Sequence, residues 1–505
     1  MKKLTLVVLI AGMLSSGNIF GQIWPTGDES GDDDTSGIKY GAIIGAVTVD
    51  GKNYQQFGLR TDIPIGKLGF GMDIQLLLDE KGSIYKGDWD EWTDYLDKIY
   101  YIRWGRKGDP FYIKAGGLNF TTLGYGNILD SYTNMIEYPS VKRYGLDMSL
   151  KTRFVDAELI INNFKELMME DPSMLVGTRI ALKPLKKLAF GVSVASDFNE
   201  YNGLKDVDED GYPDKLDAFP TDAALVTEYD LAFNNWVAKN PSYTAADLTQ
   251  FNNNVKFAEE YYGANPTRKE NLFNKNNNRS QLYIYSFDAG YPIIEGSKFS
   301  LDIFSHWTQI SGYGWGMTMP GVRMKVGNFL TFTAEYRRQS SQFLYGYFNV
   351  NYELERAVFV QDPTTNSLVI KTKQRTLLEV DQTLDGYFAG LNINLFKLAY
   401  INFSYADMIG DELNRRSLIG ELGLKKGLIP KISTIKGYYR QDNVENFLEW
   451  RTPATIMGGL VELEMGGVNI AFDYRWNFTD LNGDGLIRDK DETIKNIAVR
   501  TSVKF

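Results

Sequence analysis

Residues 68–76 read LGFGMDIQL, in which apolar side chains alternate with glycine, aspartate or glutamine. An alternation with a period of two predicts a β-strand with one apolar and one polar face. The same period recurs at residues 144–150 (YGLDMSL) and 468–476 (VNIAFDYRW). The apolar face fits either the core of a soluble sandwich or the lipid-facing side of a barrel with a wet lumen. The alternation alone is compatible with both.

The spacing of the strand-like segments favours the barrel. We place about twenty such segments, and every second connection between them is a tight turn. The other connections are mostly long, the largest being residues 118–142, 197–280 and 339–385. Short turns at one end and long loops at the other are typical of outer-membrane barrels. The predicted fold is all-β: a transmembrane antiparallel β-barrel of about twenty strands, within a range of roughly 16–22, with a small helical extracellular insertion.

The sequence patterns at both ends of the chain predict targeting signals. Lys2 and Lys3 precede an apolar run from Leu4 to Leu14 and then small and polar residues, which is the pattern of a secretory signal. We therefore divide the chain into a signal peptide (1–21), an acidic flexible tail (22–37), the first part of the barrel (38–196), an extracellular calcium-binding and helical insertion (197–280), and the second part of the barrel (281–505) with a further calcium loop at 480–491.

The last ten residues alternate between apolar and polar side chains and end on Phe505. This segment resembles the C-terminal targeting strand of bacterial outer-membrane barrels. The resemblance implies a multi-pass protein of the outer membrane, in contact with its lipid and inserted by the barrel assembly machinery through that strand. With the N-terminus on the periplasmic side, the long loops are expected to be extracellular.

Composition excludes several functional classes. The chain has no cysteine, one histidine (His306) and a net charge of -10. Disulfides, zinc–thiolate sites and cysteine nucleophiles are therefore impossible, and most histidine-dependent catalysis is improbable on composition. Acidic chains are poor binders of nucleic acid. We predict neither an enzyme nor a nucleic-acid partner.

Residues 206–222, DVDEDGYPDKLDAFPTD, place carboxylates two residues apart on an irregular segment with Gly211 at a sharp turn. Calcium requires such a shell of six to eight oxygens. The segment resembles thrombospondin type-3 repeats, including the Phe-Pro after the acidic run. The resemblance implies Ca²⁺ ligation by the Tyr212 carbonyl and by the side chains of Asp206, Asp208, Asp210, Asp214 and Asp217, with Asp222 in a neighbouring site. A solvated acidic loop is the alternative interpretation.

Residues 480–491, DLNGDGLIRDKD, resemble the calcium loop of an EF-hand. The twelfth position is aspartate instead of glutamate, which is closer to the loops of dockerin modules. The implied ligands are Asp480, Asn482, Asp484, Leu486 and Asp491. Because strands flank this loop, we expect both calcium ions to be structural.

Two further features concern the lumen. Residues 222–262 lose the alternation, and we predict two short helices over the pore mouth, the second capped by Ser242 or Thr244. The alternation also assigns eleven charged residues of mixed sign to the pore lining: Asp73, Arg103, Lys114, Lys151, Glu158, Arg179, Arg323, Lys325, Glu335, Arg337 and Arg475.

The sequence thus favours porin-like passage of an unidentified solute, with calcium-stiffened extracellular loops. The alternative is a non-conducting surface protein for adhesion or complex assembly. Single-channel conductance would discriminate between the two. The most informative further observation is whether residues 118–142 and 339–385 fill the lumen, since inward-folded loops would also suit a gated channel.

Overall fold

A computed structural model describes residues 39–49, 52–85, 89, 95, 98–136, 141–167, 172–185, 187–257, 270, 272–361, 368–395, 398–412, 414–424, 428–444, 446, 448–452, 455–465, 468–478, 487–488 and 492–503. Three predictions lie outside these residues: the signal peptide with the acidic tail, the calcium ligands of loop 480–491, and Phe505 with its targeting role.

Among the described residues, twenty strands form one antiparallel sheet, and two more form a separate hairpin. The sheet strands are β1 (Lys39–Val49), β2 (Lys52–Ile65), β3 (Leu68–Leu78), β4 (Ile99–Trp104), β5 (Phe111–Gly116), β6 (Gly145–Lys151), β7 (Val155–Ile161), β8 (Leu175–Leu182), β9 (Ala189–Asp197), β10 (Leu282–Ile294), β11 (Phe299–Ile310), β12 (Trp315–Val326), β13 (Leu330–Gln339), β16 (Leu384–Leu395), β17 (Ala399–Ile409), β18 (Asn414–Leu424), β19 (Ile432–Val444), β20 (Thr455–Met465), β21 (Val468–Phe478) and β22 (Thr493–Val503). The hairpin consists of β14 (Ala357–Gln361) and β15 (Leu368–Thr372).

The sheet runs up and down in chain order. Each strand pairs with the next, and β13 pairs with β16 across the loop that carries the hairpin. The first and last strands also pair, with Ala42 opposite Val503 and Ile44 opposite Thr501. This pairing covers three residues of each strand and brings the two edges of the sheet together at that point. The predicted all-β barrel and its strand number are confirmed.

The two faces of the sheet differ in chemistry. Residues directly opposite each other on paired strands share a face. On one face Ile180, Val192 and Phe287 lie in a row across β8, β9 and β10, and each is about half exposed. On the other face Arg179 and Ser193 are opposite each other and buried. The outer surface is therefore an apolar belt, and the polar face points into the barrel.

Long and short connections lie at opposite ends of the barrel, because successive connections of an up-and-down sheet alternate between ends. Every connection at one end is short, the longest being residues 425–431. The other end carries all of the long connections: residues 79–98, 117–144, 162–174, 198–281, 340–383, 445–454 and 479–492.

The helices of the described part of the chain lie in these long connections. They are α1 (Phe164–Leu167), α2 (Glu228–Lys239), α3 (Ala245–Phe257), α4 (Tyr352–Glu355) and α5 (Lys373–Thr376), with 3₁₀ turns at Glu200–Gly203 and Leu377–Glu379. The two predicted helices are α2 and α3, and Thr244 is the residue that caps α3, through Asp247. Within the described residues, no helix has the length and apolarity to span a membrane.

Candidate functional site: the lumen and the acidic loop

Register places the eleven predicted lining residues on one face of the sheet. Cross-strand pairs include Arg103 with Lys114 and Glu158 with Arg179. The same face continues around the barrel through the remaining pairings of β3 to β21. It is the face opposite the apolar belt, so all eleven side chains lie on the inner side: Asp73, Arg103, Lys114, Lys151, Glu158, Arg179, Arg323, Lys325, Glu335, Arg337 and Arg475.

In loop 117–144, residues 118–135 fold into the barrel and lie against its inner wall. Thr121 and Tyr132 pair as an antiparallel bridge, which makes the loop a small hairpin. Asn127 donates its side-chain N–H groups to the hydroxyls of Ser286, 3.0 Å away on β10, and Thr308 on β11. All three residues are buried. The loop is thus bonded to inner-face side chains and does not extend away from the barrel.

Described residues of loop 340–383 pack beside the first loop. Leu129 and Phe348 form a parallel bridge, in which the Asp130 amide donates to the Phe348 carbonyl at 3.0 Å. Apolar side chains of both loops share a buried cluster with inner-face residues of β7 to β11. The cluster comprises Leu118, Leu123, Ile128, Leu129, Tyr132, Ile160, Leu175, Ala195, Leu282, Ile284, Ile310, Phe343, Tyr347, Phe348, Tyr352 and Leu377. We call the described residues of 118–135 and 343–380 the inner plug.

A buried ionic network attaches the inner plug to the wall. The Arg356 guanidinium lies 2.6 Å from Asp197 at the end of β9 and 3.2 Å from Glu166 on α1. Glu353 lies 3.3 Å from Arg143 and accepts hydrogen bonds from Tyr132 and Asn162. Buried charges are tolerated only when they are paired and hydrogen-bonded. This network therefore fixes one position of the plug.

Glu200, in the 3₁₀ turn after β9, is a second attachment point. Its carboxylate accepts a hydrogen bond from the Tyr347 hydroxyl at 2.6 Å and one from the Gln374 amide at 3.0 Å. Burial, reinforced by the nearby Asp197 carboxylate, raises the pKa of Glu200 to about 7. Sequence reasoning missed Glu200, because nothing in its local pattern distinguishes it from a solvated loop acid.

Farther into the lumen, Tyr125 of the plug stacks on Phe304 of β11 with ring centroids 4.3 Å apart. The guanidinium groups of Arg179 and Arg323 lie 5.8 and 5.5 Å from the Tyr125 ring centroid. Arg179 also forms a two-point ion pair with Asp288, at 2.6 and 2.9 Å. The guanidinium groups of Arg179 and Arg323 thus lie around the Tyr125 ring, and the presence of this ring narrows the lumen.

The acidic loop, defined here as residues 206–217, brings three predicted ligands together. Carboxylate oxygens of Asp206, Asp208 and Asp210 lie within 4.8 Å of one another. Gly211 has a φ of +93°, a left-handed conformation that favours glycine, and its N–H donates to Asp206 at 3.0 Å. The turn predicted at Gly211 therefore directs the preceding carboxylates towards one point.

Several oxygens in this cluster have no protein partner among the described residues. They are Oδ1 of Asp206, Oδ2 of Asp208 and Oδ2 of Asp217, and all are buried. Asp217 is only 8% exposed, and burial, with the charges of Asp210 and Asp208, raises its pKa to about 6. Buried carboxylate oxygens without donors are energetically unfavourable unless a cation satisfies them. The donor set, all oxygen, is the one that Ca²⁺ prefers.

The other predicted ligands are placed differently. Asp214 pairs with Lys205 at 3.0 Å, the Tyr212 amide donates to Asp210 at 2.8 Å, and the exposed Asp222 accepts from the Ala224 amide at 3.2 Å. The sequence did not predict Lys275, whose ammonium lies 2.9 Å from Asp206 although both side chains are buried.

Comparisons with known proteins give backbone likenesses only. No protein-family profile and no curated protein sequence matches the chain. Solved structures similar to it include the ferric enterobactin receptor PfeA of Pseudomonas aeruginosa (TM-score 0.34, 10% identity, 92% of this chain and 71% of that one). A second is the outer membrane protein OpdK of Pseudomonas aeruginosa, with a TM-score of 0.29 and 9% identity over 93% of this chain and 97% of that one. A third is the siderophore receptor PirA of Acinetobacter baumannii, with a TM-score of 0.30 and 8% identity over 93% of this chain and 80% of that one. These TM-scores are too low to support residue-level inference, so the strand pairing of the chain itself defines the fold.

Proposed function

We propose that this protein lies in the bacterial outer membrane as a multi-pass β-barrel and allows porin-like passage of a small solute. The observation that carries the proposal is the joined twenty-strand sheet with an apolar outer belt and a charged inner face. Strands hydrogen-bonded on both sides satisfy the backbone groups that lipid would leave unpaired. The long-loop end would face the exterior, and the C-terminal strand would engage the barrel assembly machinery.

The passage would run between the inner plug and the opposite wall. The plug packs on the inner face from β7 to β13 and, through Leu344, Tyr345 and Val380, on Leu384 of β16 and Met408 of β17. Farther along β17 to β19 the inner face is more accessible. There Asn402 is exposed, and Glu421 and Arg440 are partly exposed. A barrel of this strand number is wide enough to keep an aqueous channel unless loops fill it completely.

Calcium is the second part of the proposal. One ion would be held by Asp206, Asp208, Asp210 and Asp217, and a second by loop 480–491, and both would stiffen the long-loop end. The unpartnered buried oxygens of Asp208 and Asp217 support the first site. Calcium, and not magnesium, should raise the resistance of residues 197–280 and 478–494 to protease. Unchanged cleavage at both segments after addition of chelator would contradict the assignment.

Single-channel recording of the full chain in planar bilayers tests passage. Wild-type protein should give stable openings, and Arg356→Met, which loosens the inner plug, should give larger ones. Lys187→Met, which breaks an exposed ion pair with Glu295 at the short-turn end, is the matched control and should behave as wild type.

The alternative remains a non-conducting surface protein for adhesion or complex assembly. The packed core between the plug and the wall favours it, because such a core resists displacement. A silent bilayer at high protein load, for wild type and for Arg356→Met alike, would support the alternative and contradict passage.

A further inference from the structure

The acidic loop and the inner plug are connected by segment 274–280. The Lys275 amide donates to the Gly211 carbonyl at 2.8 Å, and the Lys275 ammonium reaches Asp206. A Cβ at Gly211 would lie 2.5 Å from the Asn276 side chain, so the segment is packed directly on the turn of the loop. Movement of the acidic loop would therefore displace segment 274–280.

Asn199 joins the same segment to the wall. Its side-chain N–H groups donate to the carbonyls of Lys275 and Asn278, at 3.3 and 3.2 Å. Its side-chain oxygen accepts from the amides of Ser280 and Tyr201. Asn199 is buried and caps the 3₁₀ turn that contains Glu200.

Glu200 completes the connection to the plug. Its backbone amide donates to the Ser280 carbonyl at 2.7 Å, and its carboxylate bonds to Tyr347 and Gln374. The Ser280 hydroxyl also donates to the Gln374 side chain at 2.9 Å. The acidic loop thus reaches the plug through this segment and turn, and it also touches the plug directly, where the Lys215 ammonium lies 5.4 Å from the Phe359 ring centroid.

The net negative charge of the carboxylate cluster determines how strongly a bound cation stabilises the acidic loop. Lys275 supplies one positive charge to a cluster in which Asp206, Asp208 and Asp210 carry three negative ones, with buried Asp217 beside them. Without another cation the remaining carboxylates repel one another at short range. A divalent cation removes most of that repulsion and stabilises the compact loop on which segment 274–280 rests.

We propose that a divalent cation bound in the acidic loop acts as a latch on the inner plug, holding segment 274–280, the Asn199–Glu200 turn and the plug in one closed arrangement. This inference rests on the proposed calcium site. Occupancy of the loop and closure of the plug are then linked equilibria, so a ligand that favours one favours the other.

Hydrogen–deuterium exchange of the full chain in detergent micelles tests the latch. Calcium at about ten times its dissociation constant should slow exchange about tenfold in residues 206–217 relative to chelator. It should also slow exchange in residues 343–356 by about fivefold or more. Asp208→Asn should abolish both effects. Glu209→Gln, which removes one charge from an exposed neighbour outside the cluster, should retain both.

A second variant separates binding from transmission. Asn199→Ser keeps a side-chain oxygen to cap the turn but loses the two bonds to Lys275 and Asn278. It should retain calcium-dependent protection of residues 206–217 and show less of it in 343–356, because only the contacts of Ser280, including that with Gln374, and the Lys215–Phe359 contact then remain. Two results would overturn the latch alone: calcium slows exchange in the acidic loop of wild type but not in the plug, or calcium slows exchange in the plug of Asn199→Ser as much as in wild type.

If calcium slows exchange in neither region, both the calcium site and the latch are overturned. Solute passage would then be tested only by the bilayer recordings.

Discussion

Arg356 and Asp197 form a two-point ion pair inside the barrel, with Nε 2.6 Å from Oδ2 and Nη2 2.9 Å from Oδ1, and neither side chain is exposed. The pair joins the inner plug to the end of β9. Its geometry matches the planar guanidinium fork to a carboxylate, which lysine cannot reproduce.

Arg356→Met should detach the plug locally. The substitution leaves Asp197, Glu166 and Glu353 without their shared cation, and loss of one partner of a buried ion pair destabilises by about 3–5 kcal/mol. Protease should then cleave within residues 340–383 while the barrel strands remain protected. Lys187→Met, at an exposed pair, should change little. Equal resistance in Arg356→Met and wild type would contradict the role assigned to the network.

Attachment of the plug should depend on pH through Glu200. Its pKa of about 7 in the folded protein lies above the ordinary value of 4.5. Between pH 4.5 and about 7 the Glu200 carboxyl group therefore binds more protons in the folded state than in the unfolded state. The stability that the protonated carboxyl group contributes at low pH is lost as the pH rises to about 7. Asp197, Tyr347, Tyr352, Thr372, Gln374 and Ser280 face the carboxyl group, and among these only Asp197 is a carboxylate.

Exchange of residues 343–380 measures this dependence. It should be faster at about pH 8 than at about pH 5, after correction for the intrinsic rate. Glu200→Gln, which cannot ionise, should remove most of the difference. Glu295→Gln, at the exposed short-turn end, should leave it intact. A Glu200→Gln profile identical to wild type would contradict the assignment.

If the apolar belt contacts lipid, a charged substitution in it should destabilise the barrel. Val192 is 47% exposed and lies between Ile180 and Phe287 on the outer face of β9. Arginine on the lipid face destabilises a barrel by about 2–4 kcal/mol at the bilayer midplane, and less near the interfaces. Val192→Arg should therefore lower the free energy of unfolding measured in lipid vesicles.

Val192→Leu is the matched control and should be nearly neutral, because it keeps the side chain apolar. If Val192→Arg were as stable in vesicles as wild type, the belt would not be buried in lipid at this level.

Helix α3 should depend on its N-terminal cap. The Thr244 hydroxyl and Asp247 carboxylate bond to each other at 2.6 Å, and the Thr244 amide donates to the same carboxylate at 2.8 Å. Thr244→Ala should destabilise the helix by about 0.5–2 kcal/mol. Faster hydrogen exchange in residues 245–257 would show this loss, and Thr244→Ser should retain protection because serine keeps the hydroxyl.

Most of the barrel was predictable because its signals are local. Period-two alternation fixed which side chain of each strand faces outward, and connection length fixed which end of the barrel carries the loops. The twenty predicted segments correspond in order to the twenty strands of the sheet. Aspartates two residues apart likewise predicted the meeting of Asp206, Asp208 and Asp210.

One signal of the plug was present in the sequence and was not used. Ile160 and Ile161 are adjacent near the end of β7, and Leu175 and Val176 begin β8, so both faces are apolar there. An inner face that loses its polarity indicates that something apolar covers it. The inner partners, however, came from loops whose own sequence has no regular period.

The sequence by itself determined the number of strands, their two faces, the helices α2 and α3, and the acidic loop, because each depends on residues close together in the chain. Only the tertiary structure decided that the loops turn inward, that Arg356 meets an aspartate 159 positions away, and that Lys275 enters the acidic cluster. These contacts form when distant segments share the confined space of the barrel, where a buried charge or apolar surface must find a partner.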